Sequence, residues 1–227
     1  MAITPFIGKW MERTVSYLLP PLCVVCEARL QTRAPVGICP QCWGKLPRLD
    51  VTAEPALTDM LARSTFGHFY APFTYEGEVI GLLTRLKYYQ APHLAQAVVP
   101  FMSAALPDAT LYDVAVPVPV DRVRLLKRGY NQAAEIVRLL APALHLPFDM
   151  VGLVRVKRAG RQVGRTKDER RKALAGAFAA DARFKGKSVL LVDDVLTTGS
   201  TADACAKALR AAGATRVDVL TAAWVRP

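Results

Sequence analysis

Leu190-Leu191-Val192-Asp193-Asp194-Val195-Leu196-Thr197-Thr198-Gly199-Ser200-Thr201 is the stretch from which the fold follows. Its first residues close a short all-apolar strand, Ser188 to Val192, bounded by Lys187 and Asp193. Two adjacent carboxylates follow, then a hydroxyl-rich turn with one glycine, then an Ala-rich helix, Thr201 to Ala212, that stops at Gly213. Open α/β sheets bind ligands in the crevice beyond the carboxyl ends of their strands. A phosphate would sit in the turn, on free backbone N–H groups at the positive end of the helix. Gly199 lets the backbone approach closely, and Thr198, Ser200 and Thr201 add hydroxyl donors. Asp193 and Asp194, one sugar length away, would accept hydrogen bonds from vicinal ribose hydroxyls, so the pattern asks for a ribose 5-phosphate. Helix capping alone accounts for Asp194 or Thr201 singly, but not for both acids with the whole turn.

Outward from this stretch, strands alternate with helices. Ser64 to Tyr75 suits one or two strands, and Glu78 to Tyr89 and His93 to Leu106 are helical. Tyr112 to Val120 is a buried strand broken by Pro117 and Pro119. Asn131 to Leu144 is helical, with Pro142 as a candidate early stop, Leu153 to Val156 suits a strand, and Arg216 to Trp224 is a final apolar strand. Several strands are apolar throughout, which predicts an α/β fold with a parallel sheet covered on both faces. Leu46 to Met60, with Pro47, Asp50, Glu54 and Pro55, reads as a linker. The expected division is therefore 1–50, an amphipathic helix and a cysteine module, and 51–227, the α/β domain. The helix is expected from Phe6, Ile7, Trp10, Met11, Val15 and Leu18, which recur at helical spacing.

Of 227 residues, 52% are hydrophobic, which excludes a disordered chain. No apolar run reaches about 18 residues, so no membrane span is expected. Lys9, Glu12 and Arg13 interrupt the apolar positions at the start, so the segment does not read as a signal peptide, and a cytoplasmic location is expected. The net charge of +11 is localised: residues 1–113 are neutral, and 114–227 carry the whole excess. Asp121 to Arg128 nets +3 and Arg155 to Lys172 nets +7. Such concentration points to a polyanionic partner, a nucleic acid or a phosphorylated metabolite, with a solvated basic loop as the plain alternative.

Four of the five cysteines, Cys23, Cys26, Cys39 and Cys42, form C-x2-C-x12-C-x2-C. Two such pairs let four thiolates close a tetrahedral Zn²⁺ site of structural type; a redox pair or a site that has lost its metal remain the alternatives. Cys205, among alanines, reads as a small buried apolar residue. His68, His93 and His145 are scattered and read as structural or exposed. Tyr88, Tyr89 and Tyr130 lie near basic residues and suit base stacking no better than ordinary packing.

With these motifs in view, Val192 to Thr201 resembles the 5-phosphoribosyl 1-diphosphate (PRPP) signature of type I phosphoribosyltransferases. The whole chain resembles the ComF family, in which an N-terminal zinc ribbon precedes such a domain. The resemblance rests on the four cysteines, Leu86-Lys87-Tyr88, Val116-Pro117-Val118-Pro119, Arg128-Gly129-Tyr130-Asn131-Gln132, Arg155 with Gln162, Arg170, Ala175-Gly176-Ala177-Phe178, the acidic signature and Ala212-Gly213. It implies that Asp193 and Asp194 hold the ribose hydroxyls as the catalytic pair. It also implies that Thr197, Thr198, Gly199, Ser200 and Thr201 cradle the 5-phosphate, and that Arg122, Arg124, Lys127 and Arg128 fall in or just after the pyrophosphate loop. Lys87 is a modest candidate for a ligand contact. Arg155 to Lys172 lies where the fold places a flexible hood. Phosphoribosyl transfer displaces pyrophosphate with Mg²⁺ and basic side chains neutralising the leaving group. Three functions share this crevice: a role in natural competence, with single-stranded DNA and the DNA-uptake machinery as partners; phosphoribosyl transfer to a base or amine; and a PRPP-sensing adaptor.

Overall fold

The computed structural model describes residues 22–30, 37–88, 94–157 and 174–227. The expected helix ahead of the cysteines, and Arg158 to Lys172 of the larger basic segment, lie outside the described residues. In chain order the elements are α1 (Pro40–Lys45), α2 (Pro55–Ala62), β1 (Phe69–Tyr70), β2 (Phe73–Thr74), α3 (Gly77–Tyr88), α4 (Ala95–Ala105), β3 (Val114–Pro117), α5 (Arg122–Arg128), α6 (Gln132–Ala143), β4 (Leu153–Arg155), β5 (Phe178–Ala180), β6 (Ser188–Leu196), α7 (Ser200–Ala211) and β7 (Arg216–Trp224). No described helix is long and apolar enough to cross a membrane.

The main sheet is parallel, in the order β1-β7-β6-β3, with β2 also pairing β7. Side chains alternate across it, so two cores form. Leu190, Val192, Leu220 and Ala222 meet Leu82, Leu83 and Leu86 of α3, Met102 of α4, and Ile136, Val137 and Leu140 of α6. Val189, Leu191, Val217 and Val219 meet Cys205 and Leu209 of α7, Leu57 of α2, and Phe178 and Phe184. Burying each large aliphatic side chain contributes about 1.5–3 kcal/mol, which explains why the strands are apolar on both faces. Cys205 is buried, as expected, and burial pushes its thiol upward.

Three local readings are corrected and one is borne out. Residues 46–60 are not a bare linker: α2 begins within them, because Pro55 occupies its first turn, where a missing N–H costs nothing, and Leu57 is fully buried. Pro142 does not end α6 early, since the helix runs on to Ala143. Leu153–Arg155 is a strand, as expected, and pairs antiparallel with Phe178–Ala180, apart from the main sheet. The strand before the acids does not stop at Val192; β6 continues to Leu196 because β7 keeps pairing with it through Trp224.

At the opposite, amino end of the sheet, Asp218 is fully buried. It accepts hydrogen bonds from Arg216 Nε (2.6 Å), the Tyr112 hydroxyl (2.8 Å) and the His68 N–H (2.9 Å). Burial alone would push this carboxyl up, but Arg216, Tyr112 and the His68 N–H hold it below its ordinary range. A depressed carboxyl contributes stability that is present above its unfolded value and is lost as pH falls through the folded one. Asp218→Asn is therefore expected to cost about 2 kcal/mol at neutral pH, with the deficit shrinking below about pH 4. Urea unfolding of both proteins across that range checks it.

Candidate functional site

The crevice exists because β6 outruns β3. Pro117 pairs with Val192, and the Val118 N–H donates to the Val192 carbonyl at 2.8 Å. Beyond that point Asp193, Val195 and Leu196 keep partners only in β7 among the described strands. The carboxylates thus sit within the strand, and alternation sends them to opposite faces. Asp194 shares the face of Leu190 and Val192 and meets Lys87 Nζ at 3.2 Å; the lysine side chain is only 20% exposed. Asp193 lies on the α7 side, where its charge is felt at Cys205, and its Oδ1 accepts from the Asp194 N–H at 2.9 Å. Burial, and then the charge of Asp194, push Asp193 up to about 8, while Lys87 opposes the shift. The two acids are therefore not equivalent: one is ion-paired to Lys87, and burial favours the protonated form of the other.

Past Leu196 the chain turns through Thr197, Thr198 and Gly199, and α7 begins at Ser200. Gly199 takes a left-handed φ of 73°, and a Cβ there would lie 2.8 Å from Met60 Sδ, so both the turn and the approach of α2 favour glycine. Thr198 and Ser200 hydroxyls are 2.9 Å apart. A helix of 12 residues directs its first N–H groups at this turn. A cleft of about 370 Å³ adjoins it, lined by Met60, Arg63, Ser64, Thr198, Gly199 and Ser200. The sequence reading missed Arg63 and Ser64; Pro55 at a helix start was the available signal.

The segment after β3 wraps the same end of the sheet. Asp121 caps α5 by accepting from the Arg124 N–H, and Arg122, Arg124 and Lys127 are exposed. Arg128 donates to Gln132 Oε1 at 2.9 Å. Asn131 caps α6 and donates to the Val118 carbonyl at 3.0 Å. The Tyr130 hydroxyl donates to the Leu86 carbonyl, next to Lys87, which ties the Arg128 loop to the crevice. Of the larger basic segment, Arg155 lies over the Phe178 ring at 5.4 Å, and Lys157 Nζ donates to the Ala175 carbonyl at 2.7 Å.

The four cysteines converge. Their sulfurs all lie within 4.8 Å of one another, with Cys26 and Cys39 Sγ 3.7 Å apart. Tetrahedral thiolates about 2.3 Å from a Zn²⁺ would be about 3.8 Å apart, so the donor set fits a metal such as zinc. The Cys39 N–H donates to Cys23 Sγ and the Cys42 N–H to Cys39 Sγ. Burial would raise Cys23, but backbone N–H groups bring it down to about 6. Gly37, with φ 64°, shapes the turn before the second pair. The module does not float: Cys23, Leu30, Ile38, Cys42 and Leu46 belong to the core on one sheet face.

Residues 125–225 match the phosphoribosyl transferase domain family. With the parallel sheet and the strand–turn–helix described above, this defines the class: a type I phosphoribosyltransferase fold joined to an N-terminal four-cysteine module. Over most of its length the chain is similar to competence protein F of Haemophilus influenzae, with 29% identity over 208 residues, covering 88% of this chain and 82% of the relative. It is likewise similar to the DNA utilization protein YhgH of Escherichia coli K12, 27% identical over 217 residues, 87% and 88% of the two chains. The ComF resemblance is thus matched by relatives bearing competence and DNA-utilization names, to which the chain is similar over most of its length. Among solved structures, an allosteric regulatory enzyme of purine biosynthesis aligns with 61% of this chain and 29% of its own at 26% identity and TM-score 0.40.

Proposed function

We propose that this protein binds a ribose 5-phosphate compound, PRPP with Mg²⁺, in the crevice beside β6, and acts in the cytoplasm on single-stranded DNA during competence-linked DNA uptake. One observation carries the ligand half. β6 outruns β3 and hands two carboxylates and a left-handed Gly199 turn to the head of α7. In this reading Asp193 and Asp194 hold the ribose hydroxyls, Thr197 to Thr201 take the 5-phosphate on backbone N–H groups and hydroxyls, and Arg128 faces the diphosphate. Mg²⁺, a hard cation that prefers oxygen, fits the carboxylates of Asp193 and Asp194 and, when bound, neutralises diphosphate charge. Zn²⁺ occupies the cysteine module as a structural ion, and the division between module and domain falls near residue 50. The names of the relatives, competence and DNA utilization, support the DNA half, as do the exposed cations of α5.

A second reading, phosphoribosyl transfer to a base or amine, is favoured by Asp193, whose value near 8 suits a group exchanging a proton at neutral pH. Single-stranded DNA titrations over a range of salt, with and without PRPP and Mg²⁺, separate the two. For a DNA-binding surface, log affinity falls linearly with log salt, and Arg122→Gln, Arg124→Gln and Lys127→Gln together reduce the slope by about 2, at about 0.7 per phosphate contact. A salt-independent affinity, or a slope unchanged by the three substitutions, removes the DNA role and leaves the transferase.

A further inference from the structure

Helix α3 stands between the cysteine module and the crevice, and its last turn touches both. Arg85 NH1 donates to the Val24 carbonyl at 3.2 Å, and NH2 meets Glu27 Oε1 at 2.6 Å. Val24 lies inside the first cysteine pair, and Glu27 directly follows it with a left-handed φ of 62°. The same knuckle is closed by the Glu27 N–H on the Cys23 carbonyl and the Cys23 N–H on the Ala28 carbonyl. Two residues past Arg85, Lys87 reaches Asp194 at 3.2 Å. At 3.6 residues per turn, i and i+2 project to nearly opposite sides of a helix. Leu86 between them is fully buried, and its carbonyl accepts from Tyr130, so this turn cannot slide independently of either neighbour.

The other half of the module is seated as firmly. The Arg48 guanidinium lies over Trp43 of α1, Phe73 of β2 and Phe101 of α4, at 5.6, 5.1 and 4.9 Å from the ring centroids. Trp43 itself packs on Phe101 at 4.6 Å. With the module fixed at this seat, the geometry of the first knuckle is transmitted through Arg85.

We propose that Arg85 is a positioning residue that couples the cysteine knuckle to Lys87 and Asp194, so that metal occupancy of the four thiolates sets the Lys87–Asp194 pair. A knuckle closed on metal presents the Val24 carbonyl and Glu27 to Arg85 in one geometry, which fixes the end of α3 and the reach of Lys87. An open knuckle releases Arg85, and Lys87 then loses its hold on Asp194. Because linkage is reciprocal, any ligand that binds where Asp194 and Lys87 are paired also tightens the metal. That ligand consequence rests on the crevice reading above; the Arg85–Lys87 link does not.

The test therefore reads Lys87 directly. Full-length protein, zinc-loaded or chelator-treated, is acetylated under limiting reagent, and modification of each lysine is followed by mass spectrometry. Lys207, an exposed lysine of α7 that pairs with Asp203, serves as the internal reference. Lys87 is expected to react about 5-fold more slowly in the loaded protein, the lower end of ordinary coupling, while Lys207 does not change. Arg85→Met, which keeps the aliphatic stem, is expected to retain its zinc by elemental analysis yet to show the fast Lys87 rate. Should Arg85→Met fail to fold, Glu27→Gln removes the charge from one of the two contacts at an exposed side chain and is expected to give an intermediate rate. Equal Lys87 rates with and without metal, an Arg85→Met rate equal to that of the loaded parent, or parallel changes at Lys207 would overturn the proposal. Adding ribose 5-phosphate separates the two readings. A metal-dependent Lys87 rate without saturable ribose 5-phosphate binding supports the coupling and sinks the crevice assignment; a 5-fold tighter affinity in the loaded protein supports both.

Discussion

Cys39→Ser is expected to strip the metal and unfold residues 22–46 while β6 and β7 keep their protection from hydrogen exchange. Cys39 is the cysteine through which the two knuckles meet: its sulfur lies 3.7 Å from Cys26 Sγ and accepts from the Cys42 N–H, and its own N–H donates to Cys23 Sγ. The described part of the module buries little apolar surface of its own beyond Leu30, Ile38 and Leu46. Structural zinc in small modules supplies on the order of 10–16 kcal/mol of apparent binding energy, and that energy is folding energy. The main sheet depends on the metal far less: module residues such as Leu30, Ile38 and Leu46 join one of its cores, but both cores are built mainly from side chains of its own strands and helices. Elemental analysis of protein purified without chelator should find one metal per parent chain and none in the variant. Exchange mass spectrometry should then show the loss confined to the module and the end of α3. A parent chain without metal, or a variant that keeps it, would refute the assignment.

Replacing Asp193 and Asp194 together by Asn should weaken ribose 5-phosphate binding by about 100-fold or more, close to 3 kcal/mol, as measured by calorimetry. Neither side chain belongs to the apolar cores, so the fold should persist. The single variants should differ, because the two carboxyls differ. Asp194→Asn removes the partner of Lys87. Asp193→Asn removes the group that burial and Asp194 push up to about 8. An acid with a raised folded value binds its proton more tightly in the native state. Its contribution to stability is fully present below about pH 4 and is lost as pH rises through about 8. Asn cannot ionise, so Asp193→Asn should melt about 4 °C above the parent at pH 9, with the gap closing by pH 4. Unchanged ligand affinity in the double variant, or a melting difference independent of pH, would contradict the assignment of these residues.

Much of the architecture was legible in the order of residues. An all-apolar run, two acids, a hydroxyl-rich turn with Gly199 and an Ala-rich helix specify strand, turn and helix locally. They need no distant partner to be read, because apolar periodicity and the freedom of glycine act over a few residues. The four cysteines declared their common site by spacing alone, since a metal requires its donors to converge. Other features depended on which segments meet. Whether β6 stops at Val192 or runs to Leu196 is decided by β7, which continues to pair with it. That extra length, not the acids themselves, puts Asp193 and Asp194 on opposite faces and gives one of them Lys87 from a helix more than a hundred residues earlier. Residues 46–60 look like a linker until α2 docks Leu57 into the core and sets Met60 and Arg63 beside the Gly199 turn. Arg85 has no signature at all in the sequence: its role comes from packing α3 between the cysteine knuckle and the crevice, a juxtaposition that only the tertiary fold creates.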